Sequence, residues 1–305
     1  MGLGRTNAFF ALGLFLTGRP SAQTPNVDAI MLQVAEHQDQ AQQLRTRYIY
    51  AQKVRIRALR ANSKLSREEY CVYNVVPTDK ATKKELVRFK GQYENKGRIV
   101  QYNKPGEQIP HKKIDIDADL VPDLRDGLIN DKKGKDGLAR DLFPLTSAEE
   151  KKYQYELEGE EAYKGRPVYR IKFRPKKEFE GFDDGKTVWS GDVLVDKEDL
   201  QAISVTTRMA KTLPFVVRTA LGTNLHALGF SVSYKRFDKD VYFPVSYGGE
   251  FDVKAVFFYK RTFTISLENT DFRQGEAESK ITFEQTRNPM KQIRWAPSTP
   301  QTGSP

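Results

Sequence analysis

Tyr169-Arg170-Ile171-Lys172-Phe173-Arg174 places three apolar side chains on one face of an extended chain and three cations on the other. Trp189, Gly191, Val193 and Val195 alternate in the same way with Ser190, Asp192 and Asp196, and Ile203, Val205, Thr207 and Met209 with Ser204, Thr206 and Arg208. Successive side chains of a strand point to opposite faces, so period-two alternation marks strands with one buried face. From 153 to 272 such segments follow one another with little helical interruption. The reading is an antiparallel sheet laid down hairpin by hairpin. Lys164-Gly165 fits a tight turn, where glycine takes up a positive φ, and Asp196-Lys197-Glu198-Asp199 reads as a polar turn. A large curved sheet of this kind can enclose something apolar.

Working outward, earlier strands are expected at 48–59, 69–76, 85–91 and 98–102, with turns at Ala61-Asn62-Ser63 and Asn103-Lys104-Pro105-Gly106. Later strands are expected at 230–234, 241–247, 251–260, 262–268 and 280–283. Val27, Ile30, Met31, Val34, Ala41 and Leu44 fall at helical spacing within 25–45. Thr24 or Asn26 is positioned to cap that helix, with Pro25 in its first turn. Between 111 and 145, Leu120, Val121, Leu124, Leu128 and Leu138 suggest one or two short helices, with a mobile loop at 131–137. Ser147 and Glu150 have capping-box spacing. The segment 211–228, with Leu213-Pro214-Phe215-Val216-Val217, interrupts the sheet. It reads either as a lid over the open side or as an edge or crossing connection packed on the core.

The first residues carry a destination. Arg5, an apolar run at 8–15 and the small residues Ser21 and Ala22 have the order of a secretory signal peptide, placed at 1–23. The run is roughly half of the ~20 residues that span a bilayer, so an integral membrane protein is not expected. A single domain is expected over 24–286, and a disordered tail over 287–305, where Pro289, Pro297, Pro300 and Pro305 fall. The formal charge is +10, and Arg5 and Arg19 would leave with the leader. Outside the cytoplasm a basic surface meets anionic headgroups or acidic polymers rather than nucleic acid. Spread along many strands, the same cations also suit a merely solvated sheet face. Cys71 is the only cysteine, which excludes an internal disulfide. Its strand-like setting favours a buried thiol, with a reactive one as the alternative.

Signals for chemistry are weak. Asp115-Ile116-Asp117-Ala118-Asp119 opens like a calcium loop, yet Leu120 stands where the turn needs glycine and Asp126 where a glutamate closes the site. A solvated acidic turn is the expectation there. His37, His111 and His226 lack ligand partners at metal spacing, so no metal is expected. Glu158, Glu160 and Glu161 could pair for glycoside chemistry but fall in a glycine-containing turn. Neither a phosphate loop nor a nucleophile elbow is present. The chain therefore reads as a non-enzyme with no catalytic residue and no cofactor. The candidate site is instead an apolar concave face formed by Tyr169, Ile171, Phe173, Trp189, Val193, Val205, Val232 and Phe257. Such residues either wall a cavity for acyl chains or form a plain core. Burial of apolar surface is worth about 25 cal/mol per Å² in both cases.

Several segments together resemble the outer-membrane lipoprotein carrier family (LolA/LolB-like). They are Leu142-Phe143-Pro144-Leu145, Lys152-Tyr153-Gln154-Tyr155-Glu156-Leu157, the run 163–176 through Lys164-Gly165-Arg166-Pro167-Val168-Tyr169, Trp189-Ser190-Gly191-Asp192-Val193-Leu194-Val195-Asp196-Lys197-Glu198, the 203–208 strand and Val241-Tyr242-Phe243-Pro244-Val245. The resemblance spans most of the chain in order, although the middle insert and 211–228 depart from a minimal carrier. It implies an α+β, mainly β fold: an incomplete antiparallel β-barrel with an N-terminal helix and short helices plugging the concave side. It further implies an exported protein of a Gram-negative-type periplasm or envelope, with a lipid acyl chain or a lipoprotein as partner. Receptors, regulators and stress sensors share that shape, so an interaction protein with a filled core, binding a protein or an anionic surface, stands beside the carrier reading.

Overall fold

The structure, a computed structural model, describes residues 25–77, 82–129, 145–179, 189–209, 225–226, 229–238, 241–255 and 259–275. The leader, the loop at 131–137, the 280–283 strand, the C-terminal tail, Phe257 and all of 211–228 except 225–226 lie outside the described residues.

Helix α1 (Val27–Arg45) starts where Asn26 Oδ1 accepts hydrogen bonds from the Asp28 and Ala29 amides at 3.1 and 3.2 Å. Asn26 is thus the cap, and Pro25 precedes the helix instead of sitting in its first turn. Four antiparallel strands follow: β1 (Tyr48–Arg60), β2 (Leu65–Pro77), β3 (Thr82–Asn95) and β4 (Arg98–Tyr102). Helix α2 (Ile116–Ile129) and the single turn α3 (Ser147–Glu150) come next. The remaining strands are β5 (Tyr153–Tyr163), β6 (Arg166–Pro175), β7 (Trp189–Asp196), β8 (Ala202–Met209), β9 (Leu225–His226), β10 (Gly229–Asp238), β11 (Val241–Ala255) and β12 (Tyr259–Gln274).

All these strands join one sheet in the order β4-β3-β2-β1-β12-β11-β10-β8-β7-β6-β5, with β9 paired beside β11. Every pairing is antiparallel. The long-range step is β1 against β12, from Tyr48↔Gln274 to Arg60↔Arg261, which ties the first meander to the end of the second. β4 and β5 sit at opposite ends of the order and do not pair, so the curved sheet stays open. The expected incomplete barrel with helices on its apolar side is what the chain forms.

Several local expectations are corrected. The segments read as 241–247 and 251–260 belong to one strand as far as Ala255, running straight through Gly248-Gly249. A Cβ on Gly249 would sit 2.6 Å from the Gly229 carbonyl oxygen, so this glycine permits close approach of backbones, not a turn. Ile203 leaves the phase of Val205, because a bulge sets Leu194↔Ser204 beside Val195↔Ala202. Ala202 therefore enters the main core, while Ile203 packs with Val168 and Leu194 in a separate cluster. Asp196, read as polar-faced, is fully buried: its Oδ1 accepts from the Glu198 and Asp199 amides, and Arg166 Nε lies 2.8 Å from its Oδ2. Thr146, not Ser147, occupies the N-cap of α3, and it makes no side-chain capping bond.

Candidate functional site

Register turns the sequence-predicted residues into rows. Ile171 on β6 faces Val193 on β7, which faces Val205 on β8, which faces Val232 on β10. Phe173 begins the neighbouring row through Gly191 and Thr207 to Phe230, and Trp189 packs edge-on against Phe230 at 5.6 Å. Tyr169 opens a third row through Val195 to Ala202. It is half-buried against the same cluster, with Lys197 Nζ 5.0 Å above its ring. Seven of the eight predicted residues are thus brought together on one face. The eighth, Phe257, falls outside the described residues.

That face continues through Phe251 and Val253 of β11, Phe263 and Ile265 of β12, and Val54 and Ile56 of β1. Two helices cover it. α1 turns Ile30, Met31, Val34 and Ala35 inward against β5 and β11, and α2 turns Leu120, Val121 and Leu124 onto β1 and β2. Ile171, Phe173, Val193 and Val232 are wholly occluded as a result. In this state the concave face is filled by the chain's own side chains wherever its residues are described.

The two covers are held differently. The buried face of α1 is mostly apolar, whereas α2 and the segment leading into it are fastened through charge. Glu69, on the inward face of β2, accepts hydrogen bonds from Tyr102 Oη (2.9 Å), the Gly106 amide (2.8 Å) and Arg125 Nη1 (2.9 Å). Arg67, two residues earlier on that face, pairs with Asp115 at 2.9 Å. Its guanidinium also lies 5.2 and 4.9 Å from the ring centres of Tyr93 and Tyr102. Asp117 accepts from Ser66 Oγ (2.5 Å), Tyr259 Oη (2.6 Å) and Arg261 Nε (3.1 Å). The supposed acidic turn is therefore corrected: Asp115 and Asp117 are buried, because donors from β2, β12 and the 109–112 segment converge on them. Sequence reasoning missed this cluster. The available signal was phase, since Arg67 and Glu69 share the parity of Cys71 and Val75 on a strand whose inward face is covered.

Burial acts on these groups in opposite senses. Desolvation pushes the Tyr102 and Tyr259 phenols well above their ordinary range, with the Glu69 and Asp117 carboxylates adding to the shift. Burial also raises the Cys71 thiol, so it stays protonated and the inert reading holds. For Asp115 burial alone would raise the carboxyl. Hydrogen bonds from Lys112 and the Ile109 amide, with the charges of Arg67 and Lys112, more than offset it, and the group titrates below the ordinary carboxylate value. A depressed carboxylate contributes stability above its unfolded value of about 3.9 and loses it as pH falls through the lower folded value. The denaturation midpoint is thus expected to be flat from neutral pH to about 5 and to fall below about 4. Asp115→Asn should reduce that acid-dependent fall, as read from urea titrations at each pH.

The remaining chemistry candidates are dispersed. Glu158, Glu160 and Glu161 are exposed and pair separately with Lys172, Lys197 and Arg170, Glu160 on the face of Tyr169 and Glu161 on the opposite one. His37 Nδ1 lies 3.0 Å from the Leu200 carbonyl oxygen. Among the described residues there is no group of three His, Cys, Asp or Glu able to hold a metal. Among them, too, no helix is long and apolar enough to cross a membrane.

No family model matches the chain, and no curated protein matches it in sequence. Its fold is similar to several solved structures. A domain from Vibrio parahaemolyticus named for outer membrane lipoprotein sorting is 10% identical, with a TM-score of 0.34 over 82% of this chain and 95% of that one. A DUF1329 family protein from Desulfovibrio piger is 12% identical, with a TM-score of 0.35 over 86% and 98%. A LolA superfamily protein from Nitrosomonas europaea is 8% identical, with a TM-score of 0.35 over 83% and 96%. At these levels the likeness is one of outline, and what the site can do rests on its own geometry.

Proposed function

We propose that the protein is a non-catalytic binding protein of the bacterial envelope that shelters an apolar chain, the acyl chain of a lipid or of a lipidated protein, against the concave face of its sheet. The observation that carries this reading is the unbroken apolar row Ile171, Val193, Val205 and Val232, roofed by helices instead of a second sheet. An acyl chain entering there exchanges one apolar contact for another at about 25 cal/mol per Å². The α2 cover is the natural one to yield. Lifting it exposes Glu69, Arg125, Asp115 and Asp117, whose hydrogen bonds water can replace, whereas lifting α1 exposes mainly hydrocarbon. Export follows from the leader-like segment 1–23 and suits a carrier that works between membranes.

The test is lipid extraction and mass spectrometry of natively purified protein, followed by titration with a fluorescent fatty acid. Saturable binding that slows the covalent labelling of a cysteine placed on α2, or speeds it, supports the reading. Absence of both co-purified lipid and saturable binding sinks it. One observation favours a second reading: the complete occlusion of Ile171, Phe173, Val193 and Val232. With such a core the protein would be an interaction module whose partner docks outside the sheet, and the probe would find no site.

A further inference from the structure

The outward face of the first meander carries a hollow of its own. Arg55, Arg57, Glu68 and Tyr70 alternate along β1 and β2 with the inward-facing Val54, Ile56, Glu69 and Cys71, so they stand on the side away from the concave core. Register arranges them in rows. Arg55 faces Tyr70, which faces Lys90 on β3. Arg57 faces Glu68, which faces Gln92, which faces Gln101 on β4. In the row on the other side of Tyr70, Lys53 and Arg88 flank Val72. Arg55, Tyr70, Arg88, Lys90, Gln92 and Gln101, with Glu68, line a hollow of about 360 Å³.

The acid among these residues is occupied, and two of the three cations are not. Gln101 Nε2 donates to Gln92 Oε1 at 2.9 Å, and Gln92 Nε2 donates to Glu68 Oε2 at 2.6 Å. Arg55 Nε meets Glu68 Oε1 at 3.3 Å, and its guanidinium lies 5.4 Å from the Tyr70 ring centre. Both Glu68 oxygens are thus engaged within the wall. Glu268, the next acid along the Lys53 row, is paired with Lys53 at 3.5 Å. Arg88 and Lys90 are exposed and form no ion pair among the described residues, and neither does Arg57 beside them. Positive charge therefore faces the hollow from β1 and from β3, two strand spacings or about 10 Å apart. Tyr70 Oη and Gln101 Oε1 make no hydrogen bond among the described residues, which leaves a hydroxyl and an amide oxygen beside the cations. Cations next to open hydroxyl and amide groups match a sugar that carries an anionic group, because its hydroxyls both donate and accept. A bilayer would call for an apolar group to insert, and none of the lining residues is an exposed large hydrophobic.

We propose that this outward hollow binds an acidic polysaccharide, with Arg55, Arg88 and Lys90 meeting the carboxylate or sulfate of a sugar unit and Tyr70 and Gln101 meeting its hydroxyls. The site does not depend on the concave face, and the two proposals stand or fall separately. Calorimetric titration of the full chain should show saturable binding of oligogalacturonate, weakened about tenfold between about 50 and 300 mM salt. Uncharged maltoheptaose should not bind, and polyglutamate of matched charge should bind about tenfold more weakly than the oligogalacturonate. Dextran sulfate separates the sources: its binding extends the site to sulfated glycans, and its failure to bind narrows the site to uronates. Arg88→Gln and Lys90→Gln are each expected to lower oligogalacturonate affinity about fivefold. Tyr70→Phe should lower it about threefold while leaving polyglutamate binding unchanged. Lys177→Gln, at an exposed cation after β6 towards the other end of the strand order, should change neither. Fatty-acid probe binding should be the same in all four variants as in the parent. Absence of oligogalacturonate binding overturns the proposal, as does equal binding of polyglutamate or parent-like affinity in both Arg88→Gln and Lys90→Gln.

Discussion

Replacing Glu69 by alanine is expected to cost about 3–5 kcal/mol of folding stability, the usual consequence of leaving a buried charge without its partner. Glu69 is 1% exposed and gathers three donors from three separate segments: Tyr102 from β4, Gly106 from the loop that follows, and Arg125 from α2. Without it, the Arg125 guanidinium faces Cys71 Sγ at 4.0 Å and keeps only the half-exposed Asp126, at 2.9 Å. That surviving pair points to the lower part of the range. Glu69→Leu combined with Arg125→Met should recover most of the loss, because replacing both partners by apolar groups removes the desolvation cost along with the attraction. Urea denaturation of the two singles and the double gives the coupling. A Glu69→Ala loss under about 1 kcal/mol would show that α2 is held by its leucines instead. Hydrogen exchange should locate the damage in 116–129 before it reaches the strands. If α2 is the yielding cover, the same variant should bind a fatty-acid probe more tightly, since a larger fraction of molecules is already open.

The strands after Tyr153 were readable because their inward residues are apolar and their outward ones charged, so phase alone located the rows. Tyr169, Ile171 and Phe173 alternate with Arg170, Lys172 and Arg174, and the structure keeps that phase. The reading failed where the backbone spends an extra residue. The bulge beside Ala202 turns Ile203 outward, and a hydrophobicity pattern carries no mark of that insertion. It failed again at Gly248-Gly249, where glycine serves close packing against Gly229 while looking like punctuation. The α2 fastening was hidden for a different reason. Arg67, Glu69, Asp115, Asp117 and Arg125 are separated by up to 58 positions of chain that composition reads as solvated, and only the fold brings donors and acceptors within 3 Å or so of each other. The aromatic contacts among Tyr48, Phe237, Phe243 and Phe272 escaped because the four residues come from four strands, and Phe237 and Phe272 lie beyond the strand ends read from the sequence.

Phe173→Ala is the substitution that separates the two functional readings. Phe173 is wholly buried, meets Tyr153 edge-on at 5.7 Å, and stands between Tyr155 and Gly191 in register. Gly191 has no side chain to move into the space, and a Cβ there would already collide with the Thr206 carbonyl oxygen. The void therefore persists, and truncation is expected to cost about 3–5 kcal/mol by urea denaturation. Phe179→Ala, at a ring 38% exposed, should stay within about 0.5 kcal/mol; a similar loss at both sites would mean that Phe173 is not the packed centre it looks to be. An apolar void of this kind takes up apolar ligands, so the variant should bind a fatty-acid probe and regain stability as RT ln(1 + [L]/Kd). The parent protein is the informative partner in that comparison. If the concave face opens to receive an acyl chain, the parent binds the probe as well, and truncation changes only the affinity. If the face is permanently filled, the probe stabilises Phe173→Ala alone, and the function must be sought on the outside of the sheet.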